Sequence, residues 1–228
     1  MIFKTKPSRP ETIAGAIYLF ISLFVLPTVL PVANILTGSH FDISQVNFIY
    51  FMVNFAAATV IFRKFLLQSL RDALRVPMPT LLYSVLGYLG NQTLSALVSM
   101  VCLMLYPGFA NVNDSNIAGM LTDNYSLMFI GTVILAPVYE ELLYRGLIFR
   151  GLYDRSPAAA HLVSILLFSA LHIIGYIGAY EPVHLLLCFL QYIPPAYCLN
   201  FAYRHSGTIA APILMHILTN LMAISLLR

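Results

Sequence analysis

Long apolar segments separated by short polar ones restrict the fold of this chain more than any other feature. They cover residues 12–36, 45–62, 79–106, 125–149, 158–176, 183–203 and 208–227, and each is close to the roughly 20 residues that a helix needs to cross a bilayer. Only 9% of the residues are charged, whereas a soluble domain carries about 25%. We therefore predict an all-α, polytopic transmembrane helix bundle of about seven spans, which forms a single membrane domain over residues 1–228.

The distribution of Lys and Arg predicts how the bundle is oriented. The basic residues of alternate loops are Lys4, Lys6, Arg9, Arg63, Lys64, Arg71, Arg75, Arg150, Arg155 and Arg204. The other loops hold neither Lys nor Arg, while Arg145 lies within the fourth segment and Arg228 ends the chain on the opposite side. Cytoplasmic loops carry the excess of basic residues. We expect an integral protein of a bacterial plasma membrane with its N-terminus in the cytoplasm.

The segment between the second and third spans is amphipathic. Apolar residues at positions 65, 66, 70 and 74 alternate with basic ones over residues 63–75. This pattern predicts a cytoplasmic helix that lies on the membrane surface. The alternative is that the second span extends into the cytosol.

The fourth segment carries three charged side chains, which are rare within a membrane-spanning helix. An ionisable group at bilayer depth costs at least a few kcal/mol and is by default functional. Glu141 and Arg145 are four residues apart, so they share one helical face and can form an ion pair. Glu140 is rotated by about 100° from Glu141. We therefore expect one acid to be structural and Glu140 to be free for chemistry.

The fifth and seventh segments also place polar residues inside the membrane. Phe168 and His172, and likewise His216 and Asn220, are four residues apart, so each pair shares a helical face. At 1.5 Å per residue, Glu140 and His216 lie about 15 Å from the cytoplasmic ends of their spans and His172 lies about 22 Å from its own. Either histidine alone is typical of an interhelical hydrogen bond, but similar depths predict that all three meet in one cavity.

The motifs that are present and absent limit the reactions that such a cavity could catalyse. The sequence has no HExxH motif, no aspartate within a span and no Gly-x-Ser-x-Gly motif, which disfavours common zinc, two-aspartate and serine hydrolase sites. A carboxylate and a histidine are left, and these can activate water: Glu140 as general base, with His172 holding the water. His216 and Asn220 can donate hydrogen bonds to an oxyanion. An alternative is a zinc ion held by Glu140, His172 and His216.

Three motifs in this order resemble a known family. They are Glu-Glu-x-x-x-Arg at 140–145, Phe-x-x-x-His at 168–172 and His-x-x-x-Asn at 216–220. Together they closely resemble the CAAX-protease and bacteriocin-processing (CPBP/Abi) family, which includes the Rce1-type glutamyl intramembrane endopeptidases. The resemblance covers residues 126–228, and the run Ala-Pro-Ile-Leu-Met-His at 211–216 is similar to the family's lead-in to its last motif.

The resemblance implies an activity and a role for each residue. It implies that Glu140 is the base, that His172 helps it to hold the water, that His216 and Asn220 form the oxyanion site, and that Glu141 and Arg145, with Phe168, support them. It also implies a cavity open to the cytosol and the lipid, formed by a catalytic core of residues 125–228, with residues 1–124 supplying spans one to three. Pro194 and Pro195 depart from the family, which often has glycines in that helix.

Two functions follow as expectations. The first is an intramembrane endopeptidase that cleaves a membrane-associated peptide or lipidated protein with water as the nucleophile. The second is a non-proteolytic membrane scaffold or bacteriocin-immunity protein that retains the fold. The expected partners are membrane lipid and a peptide substrate, without nucleic acid; no cofactor is expected unless the zinc alternative holds.

Overall fold

The computed structural model describes residues 3–226, and the helices there confirm the all-α polytopic bundle. They are α1 (Arg9–Thr37), α2 (Ile43–Ile61), α3 (Arg63–Arg75), α4 (Pro77–Leu105), α5 (Val112–Asp123), α6 (Tyr125–Tyr153), α7 (Pro157–Leu171), α8 (Pro182–Ser206) and α9 (Ala210–Ser225). Helices α1, α2, α4, α6 and α8 are long and apolar enough to cross a membrane. Helices α7 and α9 are apolar but shorter, with 15 and 16 residues. The last predicted span residue, 227, and Arg228 lie outside the described residues.

The amphipathic segment forms a helix of its own. The chain turns at Phe62, between α2 and α3, so α3 is not an extension of the second span. Phe65 and Ser69 face the bundle and are buried, whereas Arg63 and Lys64 are exposed. Glu11 on α1 accepts a hydrogen bond from the backbone N–H of Phe65 at 3.0 Å. This carboxylate stabilises the positive end of the α3 dipole and fixes α3 against α1.

Helix α6 departs from regular α geometry in two places. It has π-helical turns at Gly131–Leu135 and at Leu142–Phe149, which flank the α-helical turn Ala136–Glu141. In the first π turn, Ala136 donates its N–H to the carbonyl of Gly131, five residues back. Such turns are rare and are frequent at functional sites. Here they enclose the segment that carries both glutamates.

Aromatic rings from α2 and α3 pack against glycines of α6. A Cβ atom at Gly131 would overlap the ring of Phe51, and one at Gly146 would overlap the ring of Phe65. Only glycine lets each ring reach the backbone of α6 at these two levels. Because the two contacts lie on either side of Glu140, they fix the height of the glutamate segment in the bundle.

The basic end of the bundle is closed by an aromatic cluster. The segment before α1 runs beneath the helices, where Phe3 packs against the rings of Tyr153 and Tyr203 at 5.0 and 4.8 Å. The buried side chain of Arg150 donates from Nε to the carbonyl of Thr5 at 3.1 Å. Burial of these rings removes a large apolar surface from water and stabilises the closure.

The prolines of the eighth helix lie at a break. Helix α8 consists of Pro182–Gln191 and Ile193–Ser206, which meet at Tyr192. Pro194 and Pro195 therefore fall in the first turn of the second part, where a missing N–H costs little. The departure from the family pattern is accommodated by this break, and Tyr192 is directed toward the cavity at that point.

Candidate active site

The predicted ion pair lies at the base of the site. Arg145 Nη1 donates to Glu141 Oε1 at 3.0 Å, and both side chains are fully buried. The remaining guanidinium donors bind the Oδ1 of Asn200 at 3.2 Å and the carbonyl of Ala196 at 3.0 Å. The guanidinium also lies 4.4 Å from the centroid of the Phe168 ring, a cation–π contact. The predicted pairing of Glu141 with Arg145 is confirmed, and it leaves Glu140 without that partner.

His216 lies between the two glutamates. Its Nδ1–H donates to Glu141 Oε1 at 2.8 Å, and its Nε2 lies 3.9 Å from Glu140 Oε2. Glu140 is 6% exposed, and its Oε2 has no hydrogen-bond partner within residues 3–226. Oε2 of Glu141 has no partner within residues 3–226 either. The neighbouring acids therefore differ in their cationic partner: Glu141 is paired with Arg145 and bound by His216, whereas Glu140 lines the cavity without an arginine partner.

The orientation of His172 is fixed by two contacts. It follows the last residue of α7, and its Nδ1 is 2.8 Å from the carbonyl of Phe168. A carbonyl can only accept, so Nδ1 carries the hydrogen and Nε2 is left with its lone pair. The imidazole also stacks on Tyr192, with ring centroids 3.9 Å apart at 18°. The Phe168 ring lies 4.8 Å from the imidazole of His172 and 5.8 Å from that of His216.

Tyr192 and Asn200 are site residues that the sequence analysis missed. The hydroxyl of Tyr192 donates to Asp114 Oδ1 of α5 at 2.7 Å and accepts from Asn113 Nδ2 at 3.0 Å. The tyrosine thus links the ring of His172 to helix α5. Asn200, which binds Arg145, carried no more signal than any other amide inside a span.

A single cavity of about 620 Å³ joins the predicted residues. Glu140, His172, His216 and Asn220 line it, while Glu141 and Arg145 lie beneath its floor. The juxtaposition predicted from depth is therefore present, and the catalytic roles remain predictions. Other polar side chains on the wall are Asn91, Gln92, Ser95, Ser99, Asn111, Asn113, Asp114, Thr132, Gln191 and Thr219.

The cavity lies in the half of the bundle away from the basic loops. Its α6 residues run from Thr132 to Glu140, and its α4 residues run from Asn91 to Ser99, in the half of each helix farther from the basic end. Residues of α5 and of the turn Ile174–Tyr176 also line the cavity. The opening toward the cytosol and the lipid, which the resemblance implied, stays a prediction.

Asn220 has a partner in α6. Its Nδ2 donates to the carbonyl of Thr132 at 2.9 Å. The next N–H of the π turn would come from residue 137 and bind this carbonyl, but Pro137 has none. Asn220 therefore satisfies an acceptor that the proline leaves free, and its second amide hydrogen can still serve a ligand.

Zinc binding by Glu140, His172 and His216 stays a prediction. No group of three or more His, Cys, Asp or Glu side chains within residues 3–226 is placed to hold a metal ion. Nδ1 of each of His172 and His216 is engaged by protein, as described above, so Nε2 of each ring is the nitrogen that would bind a metal. Three ligands at about 2.0–2.2 Å would be required around catalytic zinc.

Comparison with known proteins finds a match to one family. Residues 122–222 match the sequence model of the family described as type II CAAX prenyl endopeptidase Rce1-like. The matched Rce1-like segment contains all three motifs, so the resemblance inferred from them is confirmed.

One curated relative extends the similarity beyond the Rce1-like segment. The UPF0177 protein YbdI of Lactococcus lactis subsp. lactis is 25% identical over 150 residues, which are 63% of this chain and 76% of that protein. No solved structure matches the chain. The family match and the five helices that are long and apolar enough to cross a membrane support an integral membrane protein.

Proposed function

We propose that this protein is an intramembrane endopeptidase that hydrolyses a peptide bond with water activated by Glu140 and His172. The observation that carries the proposal is the contrast between adjacent glutamates. Glu141 is paired with Arg145 and is not part of the cavity wall, whereas Glu140, one residue earlier, lines the polar cavity and has no ion pair with an arginine or lysine among residues 3–226. A buried carboxylate without a structural partner suits a general base.

His172 is suited to hold the attacking water together with Glu140. With its hydrogen committed at Nδ1, the imidazole offers the lone pair of Nε2 to a water O–H. Glu140 then accepts the other proton as the water oxygen attacks the carbonyl carbon of the scissile bond. The stack on Tyr192 and the bond to Phe168 limit rotation of the ring, so the lone pair is directed before substrate binds.

His216 and Asn220 are suited to stabilise the tetrahedral intermediate. Glu141 holds His216 through Nδ1, so Nε2, when protonated, can donate to the oxyanion. The second amide hydrogen of Asn220 is the other donor. Removal of one such donor typically lowers the rate by about 10²–10³. Glu140 finally transfers its proton to the leaving nitrogen, the C–N bond breaks, and a carboxylate and an amine are released.

The test is to replace Glu140 by glutamine, which keeps the size of the side chain and removes the base. Peptides from membranes of cells that express wild type or E140Q are compared by mass spectrometry, with E181Q as the matched control at an exposed glutamate. We expect a set of new peptide termini in wild type and E181Q that is absent in E140Q. Identical termini in all three samples, at equal protein levels, would contradict both the base and the proteolytic function, and favour a scaffold or immunity protein.

A further inference from the structure

We propose that Pro137 is a positioning residue, which acts on Asn220 through the main chain of α6. The proposal rests on the proposed function, because that function gives the carboxamide of Asn220 its role as an oxyanion donor. Pro137 acts by the N–H that it lacks: one carbonyl of α6 stays free and holds the carboxamide in the orientation that the reaction needs.

The first argument is that the carbonyl of Thr132 has lost both of its possible donors within the helix. In a regular α-helix it would accept the N–H of residue 136, but Ala136 donates to Gly131 in the π turn. A continued π turn would supply the N–H of residue 137 instead, and Pro137 has none. The carbonyl is therefore free because a π turn and a proline occur together at this point.

The second argument is that the free carbonyl and the carboxamide depend on each other. Thr132 is 7% exposed, so its carbonyl needs a partner inside the protein, and Asn220 Nδ2 donates to it at 2.9 Å. Among residues 3–226 this is the only hydrogen bond of the Asn220 side chain. The orientation of the carboxamide therefore depends on a single acceptor, which is available because residue 137 is a proline.

The third argument is the place of Pro137 on the helix that carries the proposed base. Pro137 precedes Glu140 by three residues, and Glu140 and Asn220 line the same cavity. The ring of Phe51 packs where a Cβ atom at Gly131 would lie, which keeps the π turn at its level in the bundle. One stretch of α6 therefore presents the base through a side chain and orients an oxyanion donor through its backbone.

The test is a double-mutant cycle of P137A and N220L, measured as the Tm of the purified protein in detergent. P137A supplies the missing N–H, and N220L removes the carboxamide at similar volume. With Pro137 in place, N220L leaves the carbonyl of Thr132 without a partner, and we expect Tm to fall by about 5 °C. In the P137A background the new N–H satisfies this carbonyl, so N220L should lower Tm by less than half as much.

P31A is the matched control, because Pro31 also lies inside a helix, in α1. In the P31A background we expect N220L to lower Tm as far as in the otherwise wild-type protein. Equal effects of N220L in the wild-type and P137A backgrounds would overturn the proposal. So would a smaller effect in both the P137A and P31A backgrounds, since the coupling would then not be specific to Pro137.

The second readout is kcat for the peptides that E140Q fails to produce. We expect P137A to lower kcat at least about 10-fold, but by less than the roughly 10²–10³ that follows loss of an oxyanion donor. Its Tm should equal or exceed that of wild type, because a helix gains an N–H donor. A merely structural proline would lower kcat only together with Tm; that result, or an unchanged kcat, would contradict the positioning role. The Tm cycle needs no turnover, so its outcome is separate from that of the proteolysis test.

Discussion

Replacing Arg145 tests whether the buried ion pair supports the site. In R145M the side chain keeps most of its volume but loses its charge, so Glu141 is left as a buried carboxylate with only His216 as partner. Loss of one partner of a buried pair costs about 3–5 kcal/mol. Asn200 Oδ1 also loses the hydrogen bond from Arg145, but it still accepts one from the hydroxyl of Ser164 at 3.2 Å. For a chain of this size, that cost corresponds to a fall in Tm on the order of 10 °C.

The measurement is thermal unfolding of the purified protein in detergent, followed by size-exclusion of the fraction that stays folded. R155A, at an exposed arginine, is the control for loss of a positive charge. R145K retains the charge but not the forked geometry, so we expect its Tm between those of R145M and wild type. A Tm of R145M equal to that of R155A would refute the reasoning that Glu141 depends on this arginine.

Two further predictions concern the chemistry. Treatment of the purified protein with a strong chelator is expected not to change its production of the peptides that are present in wild type and absent in E140Q. If chelation abolishes the activity and added zinc restores it, the result would instead favour a metal held by Glu140, His172 and His216. In Y192A, loss of the stack on His172 is expected to lower kcat about 2- to 10-fold, since such aromatic pairs contribute about 0.5–1.5 kcal/mol. Y192F keeps the ring and loses the hydrogen bonds of the hydroxyl to Asp114, Asn113 and Asn111, so its kcat should lie closer to wild type. Equal kcat values for Y192A and wild type would argue against a positioning role.

The sequence predicted those structural features best that depend on a single physical rule. Segment length and hydropathy predicted the helices, and the four-residue spacing of Glu141 and Arg145 predicted their ion pair. The separate helix α3 was predicted with its observed limits, Arg63–Arg75, because basic and apolar residues alternate there. Depth along each helix was enough to predict that Glu140, His172 and His216 share a cavity.

Features that depend on packing were not predictable in this way. Hydropathy extends the fifth span to residue 176, but α7 ends at Leu171, so His172 lies beyond the helix and its Nδ1 binds Phe168. The π turns of α6 have no periodic signature in sequence, although Pro137 explains why Thr132 needs Asn220. The side on which the cavity opens was taken from the resemblance, because depth gives a distance from one end and no direction of access.

The glycine contacts of α6 determine which part of the protein can move. Phe51 and Phe65 occupy positions against Gly131 and Gly146 that no other residue would permit, so axial sliding of the glutamate helix would expel both rings from the backbone surface. By contrast, the outer part of α1, Leu26–Thr37, has no buried residue. We therefore expect movement that admits a ligand to the cavity to involve the outer part of α1, while the helix that carries the glutamates keeps its position.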